Sequence, residues 1–151
     1  MKYAHIETER RFLIAATPDG VTGVSDVRDR YLSGTRLRLR SVTSDGSTVL
    51  KLGQKIRLGN GPDRIAHTTM YLDRAEWAML AALPGRNLHH VRHHIERDGI
   101  SLSVREYDDG TLVAEFDGGD SRPADPPAWL EVLREVTDDE SFTGSGLAER
   151  P

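Results

Sequence analysis

Residues 35–42 read Thr35-Arg36-Leu37-Arg38-Leu39-Arg40-Ser41-Val42, a cation alternating with an aliphatic residue. Wound as a helix, the three arginines would scatter around the axis. On a strand, side chains alternate with period 2, so Arg36, Arg38 and Arg40 share one face and Leu37 and Leu39 the other. Three like charges on one strip repel unless an anion lies against them. Ser44-Asp45-Gly46 then closes a hairpin into a second strand over 48–55, where Val49 and Lys51 oppose Leu50 and Leu52. The stretch predicts antiparallel β-structure whose charged face meets either water or an anionic ligand.

The same parity recurs outward along the chain. Glu7, Glu9 and Arg11 share a face of a strand predicted over 3–14, which turns at Pro18-Asp19-Gly20. Strands are predicted over 26–32 and 64–72, the latter after a loop at 57–63. Asp73 then caps a helix over 74–82, with Glu76 at the capping-box position. Residues 88–96 and 100–107 pair across Asp98-Gly99, and Asp109-Gly110 leads into 111–117. Ser101, Ser103 and Arg105 oppose Leu102 and Val104. Glu115 and Asp117 oppose Leu112, Ala114 and Phe116. A polar linker, GGDSRPADPP, leads to a short helix predicted near 127–134, and the remaining tail reads as irregular. Eight or so antiparallel strands with a few flanking helices predict a mainly β (α+β) fold, an eight-stranded antiparallel β-barrel. If the charged faces point inward, the lumen holds many cations and a small group of carboxylates. Guanidinium groups grip phosphate oxygens bidentately and carboxylates hold Mg²⁺ or Mn²⁺, so such a lumen suits a polyphosphate with a divalent metal.

A chain of 151 residues is expected to form one domain over 1–151 and to bury a real core. Charged residues make up 29% and hydrophobic ones 37%, as in a soluble globular protein. The net charge of -4 gives no general sign of DNA binding. Without cysteine there are no disulfides and no thiolate metal sites. No apolar run is long enough to span a membrane, and no signal peptide is evident, so the cytoplasm is the expected compartment.

Taken in order, these residues resemble the CYTH domain, the triphosphate tunnel metalloenzyme family. That family opens with Glu-x-Glu-x-Lys and an apolar triplet, which is similar to Glu7-Thr8-Glu9-Arg10-Arg11-Phe12-Leu13-Ile14. Its Tyr-Leu resembles Tyr31-Leu32, its Arg-x-Arg strand Arg38-Leu39-Arg40, and its Leu-Lys strand Leu50-Lys51. Its later basic pair is similar to His90 and Arg92, its Ala-Glu-x-Glu to Ala114-Glu115-Phe116-Asp117, and its Val-Thr-Asp with a later aromatic to Val136-Thr137-Asp138 and Phe142. The match runs in order over nearly the whole chain. It implies a tunnel that binds triphosphates, with Mg²⁺ or Mn²⁺ as cofactor.

On this resemblance Glu7, Glu9 and Arg11 are the expected catalytic residues, and Glu7, Glu9, Glu115 and Asp117 the expected metal ligands. Arg11, Arg36, Arg38, Arg40, Lys51, Arg64, His90, Arg92 and Arg105 are the expected phosphate contacts. The chain departs from the family pattern at several places. The lysine of the first strand is Arg11, which binds phosphate but holds its proton at ordinary pH. The fifth strand's Arg-x-Glu-x-Glu reads Arg64-Ile65-Ala66-His67-Thr68-Thr69, and the seventh strand's Glu-x-Asp is replaced by Ser103 and Arg105. Glu140 and Ser141 stand where basic residues follow Val-Thr-Asp.

Within His89-His90-Val91-Arg92-His93-His94, His90, Arg92 and His94 share the lumen face. With His90 as a phosphate contact, binding is expected to strengthen as pH falls through about 6.5. Trp77 and Trp129 are expected on helices packed against the barrel exterior. Two functions follow. One is a metal-dependent hydrolase of a triphosphate-containing substrate, either inorganic tripolyphosphate or a nucleoside or organic triphosphate. The alternative is a non-catalytic polyphosphate- or nucleotide-binding protein that lost part of its metal-ligand set. A homodimer is one option for the assembly.

Overall fold

The structure, a computed structural model, describes residues 2–149. It contains nine strands: β1 His5–Ile14, β2 Val21–Leu32, β3 Leu37–Ser44, β4 Ser47–Arg57, β5 Arg64–Tyr71, β6 Gly85–Arg97, β7 Ile100–Tyr107, β8 Leu112–Asp117 and β9 Val132–Glu135. Two helices, α1 Arg74–Ala81 and α2 Gly144–Ala148, and a 3₁₀ turn Glu140–Phe142 complete it. The first eight strands run in the order β5-β4-β3-β2-β6-β7-β8-β1, and β1 pairs with β5 to close the barrel. Every pairing is antiparallel.

The turns follow from their residues. At both the β3–β4 and β6–β7 hairpins, Asp-Gly places two consecutive residues at positive φ: Asp45 at 51° and Gly46 at 79°, Asp98 at 51° and Gly99 at 75°. This is the primed turn whose twist matches the strands it joins. At α1, Asp73 accepts from Glu76 N–H at 2.8 Å and Glu76 accepts from Asp73 N–H at 3.1 Å, the reciprocal cap expected from the sequence. Trp77 on this helix is half-buried, and Met79 stands 78% exposed.

The segment near 127–134 departs from its predicted helix. A turn at Pro127–Leu130 leads instead into β9, which pairs with Phe12–Ile14. The reason lies in β1. Its edge toward β5 is paired only from His5 to Thr8, so the edge of Phe12 to Ile14 would be left with unmet backbone groups. Trp129 is therefore on a turn, half-buried, with the Arg97 guanidinium 4.8 Å from its ring centre.

The main apolar cluster lies outside the barrel wall. Phe12, Ile14, Ile95, Leu102, Val104, Ala114 and Phe116 face away from the lumen on β1, β6, β7 and β8, and Leu130 of the crossing segment seals them. Phe12 and Phe116 meet edge to face at 5.8 Å. Each large side chain so buried contributes about 1.5–3 kcal/mol. A smaller cluster, Tyr107, Val113 and Leu147, closes one end of the barrel with help from Phe142. Among the described residues no helix is long and apolar enough to cross a membrane.

Candidate functional site

With the apolar positions turned outward, strand parity points the charged positions inward. Arg38 and Arg40 come from β3, Lys51 and Lys55 from β4, Arg92 from β6, Arg105 from β7, Glu115 from β8, and Glu7, Glu9 and Arg11 from β1. They line two joined cavities. One, of about 460 Å³, lies under the C-terminal segment and has apolar walls that include Tyr31, Ile56, Ile65, Val113 and Phe142. The other, of about 290 Å³, opens at the opposite end and is walled by charge. Glu9, Arg38, Gly53, Lys55, Arg105 and Glu115 border both. Gly53 belongs there for steric reasons, since a Cβ at that position would lie 3.1 Å from His67 Nε2.

One wall of the lumen is basic. Asp29 of β2 lies beneath it, accepting from Arg40 Nε and Nη2 at 2.7 Å each, with Arg38 Nε 3.9 Å away. Burial opposes the Asp29 carboxylate, but Arg40 and then Arg38 overcome it and bring its pKa down to about 2. Among the described residues Arg92 has no such partner: burial, then Arg105 and Arg40, pull its pKa down to about 9. Burial also lowers Lys51, with Arg40, Arg92 and Arg38 adding to the effect. The Nε atoms of Arg38, Arg92 and Arg105 are buried without a hydrogen-bond partner, and unmet donors on buried cations carry a real cost.

The other wall carries the acids, and each is already matched. His67 Nδ1 lies 2.8 Å from Glu7, and Lys55 Nζ lies 3.4 Å from both Glu7 and Glu9. Arg105 donates to Glu115 at 2.9 Å. Burial works against the Glu7 carboxylate, but His67 and Lys55 hold it well below the usual range. Glu9 goes the other way: burial, reinforced by Glu115, pushes its pKa up to about 7 against the pull of Lys55 and Arg105.

Several expected site residues stand elsewhere than predicted. Arg64 points away from the lumen, because it pairs with the outward Thr8 while Ile65 and His67 of the same strand point in; its partner is Asp120 at 4.0 Å. Arg36 is exposed at the rim of the larger cavity. Arg11 lines that cavity, but its guanidinium also donates to the Thr137 carbonyl of the C-terminal segment. His90 is 0% exposed beside Tyr107 and borders neither cavity. Burial, with Arg105 and Arg40, pulls its pKa down to about 2, so the expected strengthening of binding through pH 6.5 is withdrawn for this residue. Both of its ring nitrogens lack partners.

The side chains also fail to form the expected metal site. Among the described residues no three His, Cys, Asp or Glu side chains gather into a cluster suited to a metal ion. Asp117, at the end of β8, is exposed and accepts from Gly119 N–H. Three site residues were missed from sequence. Asp29 was legible in the parity of β2, where it shares a face with Val27 and Tyr31. Lys55 was legible two positions past Gly53 on the Lys51 face. His67 lies between the positions, Ala66 and Thr68, where the family pattern has its acids, and nothing in the sequence marks it out.

No family model matches the chain, and no curated protein matches it. Solved structures do. A structure of the inorganic triphosphatase NE1496 is 22% identical, covers 96% of this chain and 95% of its own, and superposes with a TM-score of 0.62. A structure described as the hypothetical protein NE1496 is 23% identical over 94% of this chain and 97% of its own, with the same TM-score. The PH1819 protein from Pyrococcus horikoshii OT3 is 14% identical over 80% of this chain and 79% of its own, with a TM-score of 0.59. At these identities the likeness shows the fold.

Proposed function

We propose that this chain is a diverged single-domain triphosphate tunnel protein that binds the triphosphate group of a small molecule and hydrolyses it as a triphosphatase. The carrying observation is the charge of the lumen: nine lysines and arginines line the two cavities against four carboxylates. A triphosphate supplies the missing negative charge, and its oxygens satisfy the unpartnered guanidinium donors.

The chemistry assigned to these residues is hydrolysis of the terminal anhydride. Glu9, poised near neutral pH and bordering both cavities, accepts a proton from water as that water attacks the terminal phosphorus. The new P–O bond forms from the water oxygen while the anhydride P–O bond breaks. The leaving diphosphate takes the electron pair, and Arg38, Arg92 and Arg105 stabilise the charge that develops. The larger cavity's walls of Tyr31, Ile56 and Phe142 support an organic group attached to the triphosphate, with that group under the C-terminal segment and the phosphates among the arginines.

The pairing of Glu7, Glu9 and Glu115 with cations of the chain favours a second reading, a triphosphate-binding protein without turnover. Phosphate release from tripolyphosphate and ATP, with Mg²⁺, with Mn²⁺ and with EDTA, separates the two. Release supports the hydrolase. Tight binding with no release under any condition establishes the binding protein, and no binding at all overturns both.

A further inference from the structure

Glu7 and Glu9 stand two residues apart on one strand, both pointing into the lumen. Neighbouring carboxylates of this kind need a cation between them or a shared proton. We infer that Lys55 is that cation, so that the acidic wall is neutralised from within the chain and the lumen takes a polyphosphate without a divalent metal. The observations are geometric. Lys55 Nζ sits 3.4 Å from Glu7 Oε2 and 3.4 Å from Glu9 Oε1, bridging the pair. Lys55 pairs in register with His67 of β5, and His67 holds the remaining oxygen of Glu7. The glycine at position 53 leaves the space into which the His67 ring fits. Lysine, histidine and glycine thus act together on two adjoining strands.

This arrangement puts an ammonium where an ion bridging the two carboxylates would sit. Mg²⁺ binds carboxylate oxygens at about 2.0–2.1 Å and demands near-octahedral surroundings. An ion bridging Glu7 and Glu9 would have to displace the ammonium or sit against its charge. The remaining carboxylate nearby, Glu115, is held by Arg105. An ammonium carries three donors. Two face the carboxylates, and Lys55 borders both cavities, so the third direction is available to a phosphate oxygen. Lys55 therefore joins acid pair and phosphate, the bridging role that a divalent ion plays between carboxylates and a polyphosphate.

The phosphate arm of this inference rests on the reading under Proposed function; the metal arm stands alone. The test is calorimetric titration of the full chain with MnCl₂ alone, then with tripolyphosphate in EDTA and in Mn²⁺, for the parent, Lys55→Ala and Glu7→Gln. Lys55→Gln replaces Lys55→Ala if the latter does not fold by circular dichroism. In the parent, Mn²⁺ is expected to show no saturable binding below about 1 mM, and removing Lys55 to tighten Mn²⁺ binding at least about tenfold. Tripolyphosphate is expected to bind the parent equally, within about twofold, in EDTA and in Mn²⁺, and to bind Lys55→Ala about tenfold more weakly in EDTA with recovery in Mn²⁺. Mn²⁺ binding to the parent at micromolar concentration that Glu7→Gln abolishes overturns the inference, as does tripolyphosphate binding that EDTA eliminates. If tripolyphosphate binds under no condition while Mn²⁺ ignores the parent and binds Lys55→Ala, the triphosphate reading falls and the role of Lys55 at the acid pair stands.

Discussion

The two walls of the lumen solve opposite problems. On the acidic wall Glu7, Glu9 and Glu115 each meet a cation of the protein. On the basic wall Asp29 alone answers Arg38 and Arg40, while Arg92 is left with a pKa drawn down to about 9. One wall is complete without a ligand and the other is not. On the proposed function, a bound anion lies against β3, β6 and β7, facing the acids but not held by them.

The largest break in this contrast is Asp29→Ala. Removing the one buried counter-charge leaves Arg38 and Arg40 uncompensated, which is expected to cost about 3–5 kcal/mol of folding stability. Urea unfolding measures it, and added tripolyphosphate should restore much of the loss by binding the folded form. A loss that tripolyphosphate leaves untouched would mean that the arginines do not face the ligand.

Arg92→Ala sharpens the comparison from the other side. It removes a cation for which the structure offers no close partner, so tripolyphosphate affinity should fall by about 1.5–3 kcal/mol while the ligand-free protein melts no lower. Calorimetry and thermal unfolding read the two effects separately. A lower melting temperature with unchanged affinity would assign Arg92 to the scaffold.

Glu9 gives the acidic wall a pH signature. Its pKa rises from about 4.5 to about 7 on folding. A carboxyl so raised favours the folded state in its protonated form, so its contribution is full below pH 4.5 and is lost as pH climbs through 7. At about 1.36 kcal/mol per pKa unit the full loss is about 3 kcal/mol, most of it falling between pH 5 and pH 8. Parent and Glu9→Gln compared in urea at pH 5 and pH 8 should diverge by that amount, with the variant the flatter. Parallel behaviour would place the titration elsewhere.

The smallest expected effect separates the two cavities. Phe142→Ala thins an apolar wall of the larger one and should weaken ATP binding by about 1 kcal/mol while leaving tripolyphosphate unchanged. Equal losses for both ligands would show that Phe142 shapes the phosphate region rather than the space beside it.

What the sequence disclosed was whatever parity and turn chemistry control. Leu37 to Arg40 alternates so strictly that its inward face was readable, and Asp45-Gly46 and Asp98-Gly99 named their own hairpins. Depth was not readable. His90 lies on the lumen face as expected, yet sinks to full burial because neighbouring strands bring Tyr107 and Arg105 around it. Arg64 was misplaced because register is decided by the partner strand, and one residue of difference turns a side chain to the other face. Residues 127–134 contain good helix formers, and the open edge of β1 overruled them. The expected metal ligands rest on strand parity and on the family resemblance, neither of which shows what already pairs with them. Nothing in the sequence of β1 reveals that Lys55 and His67 arrive from the far side of the hairpin network to occupy the same carboxylates.

The apolar cluster of Phe12, Val104, Phe116 and Leu130 lies on the outer side of the wall, so this packing does not run through the lumen. A change of charge at a lining position such as Lys55 or His67 alters what the interior attracts without touching that outer cluster. Shape and chemistry are thereby uncoupled, and a lineage can rewrite the second many times while inheriting the first.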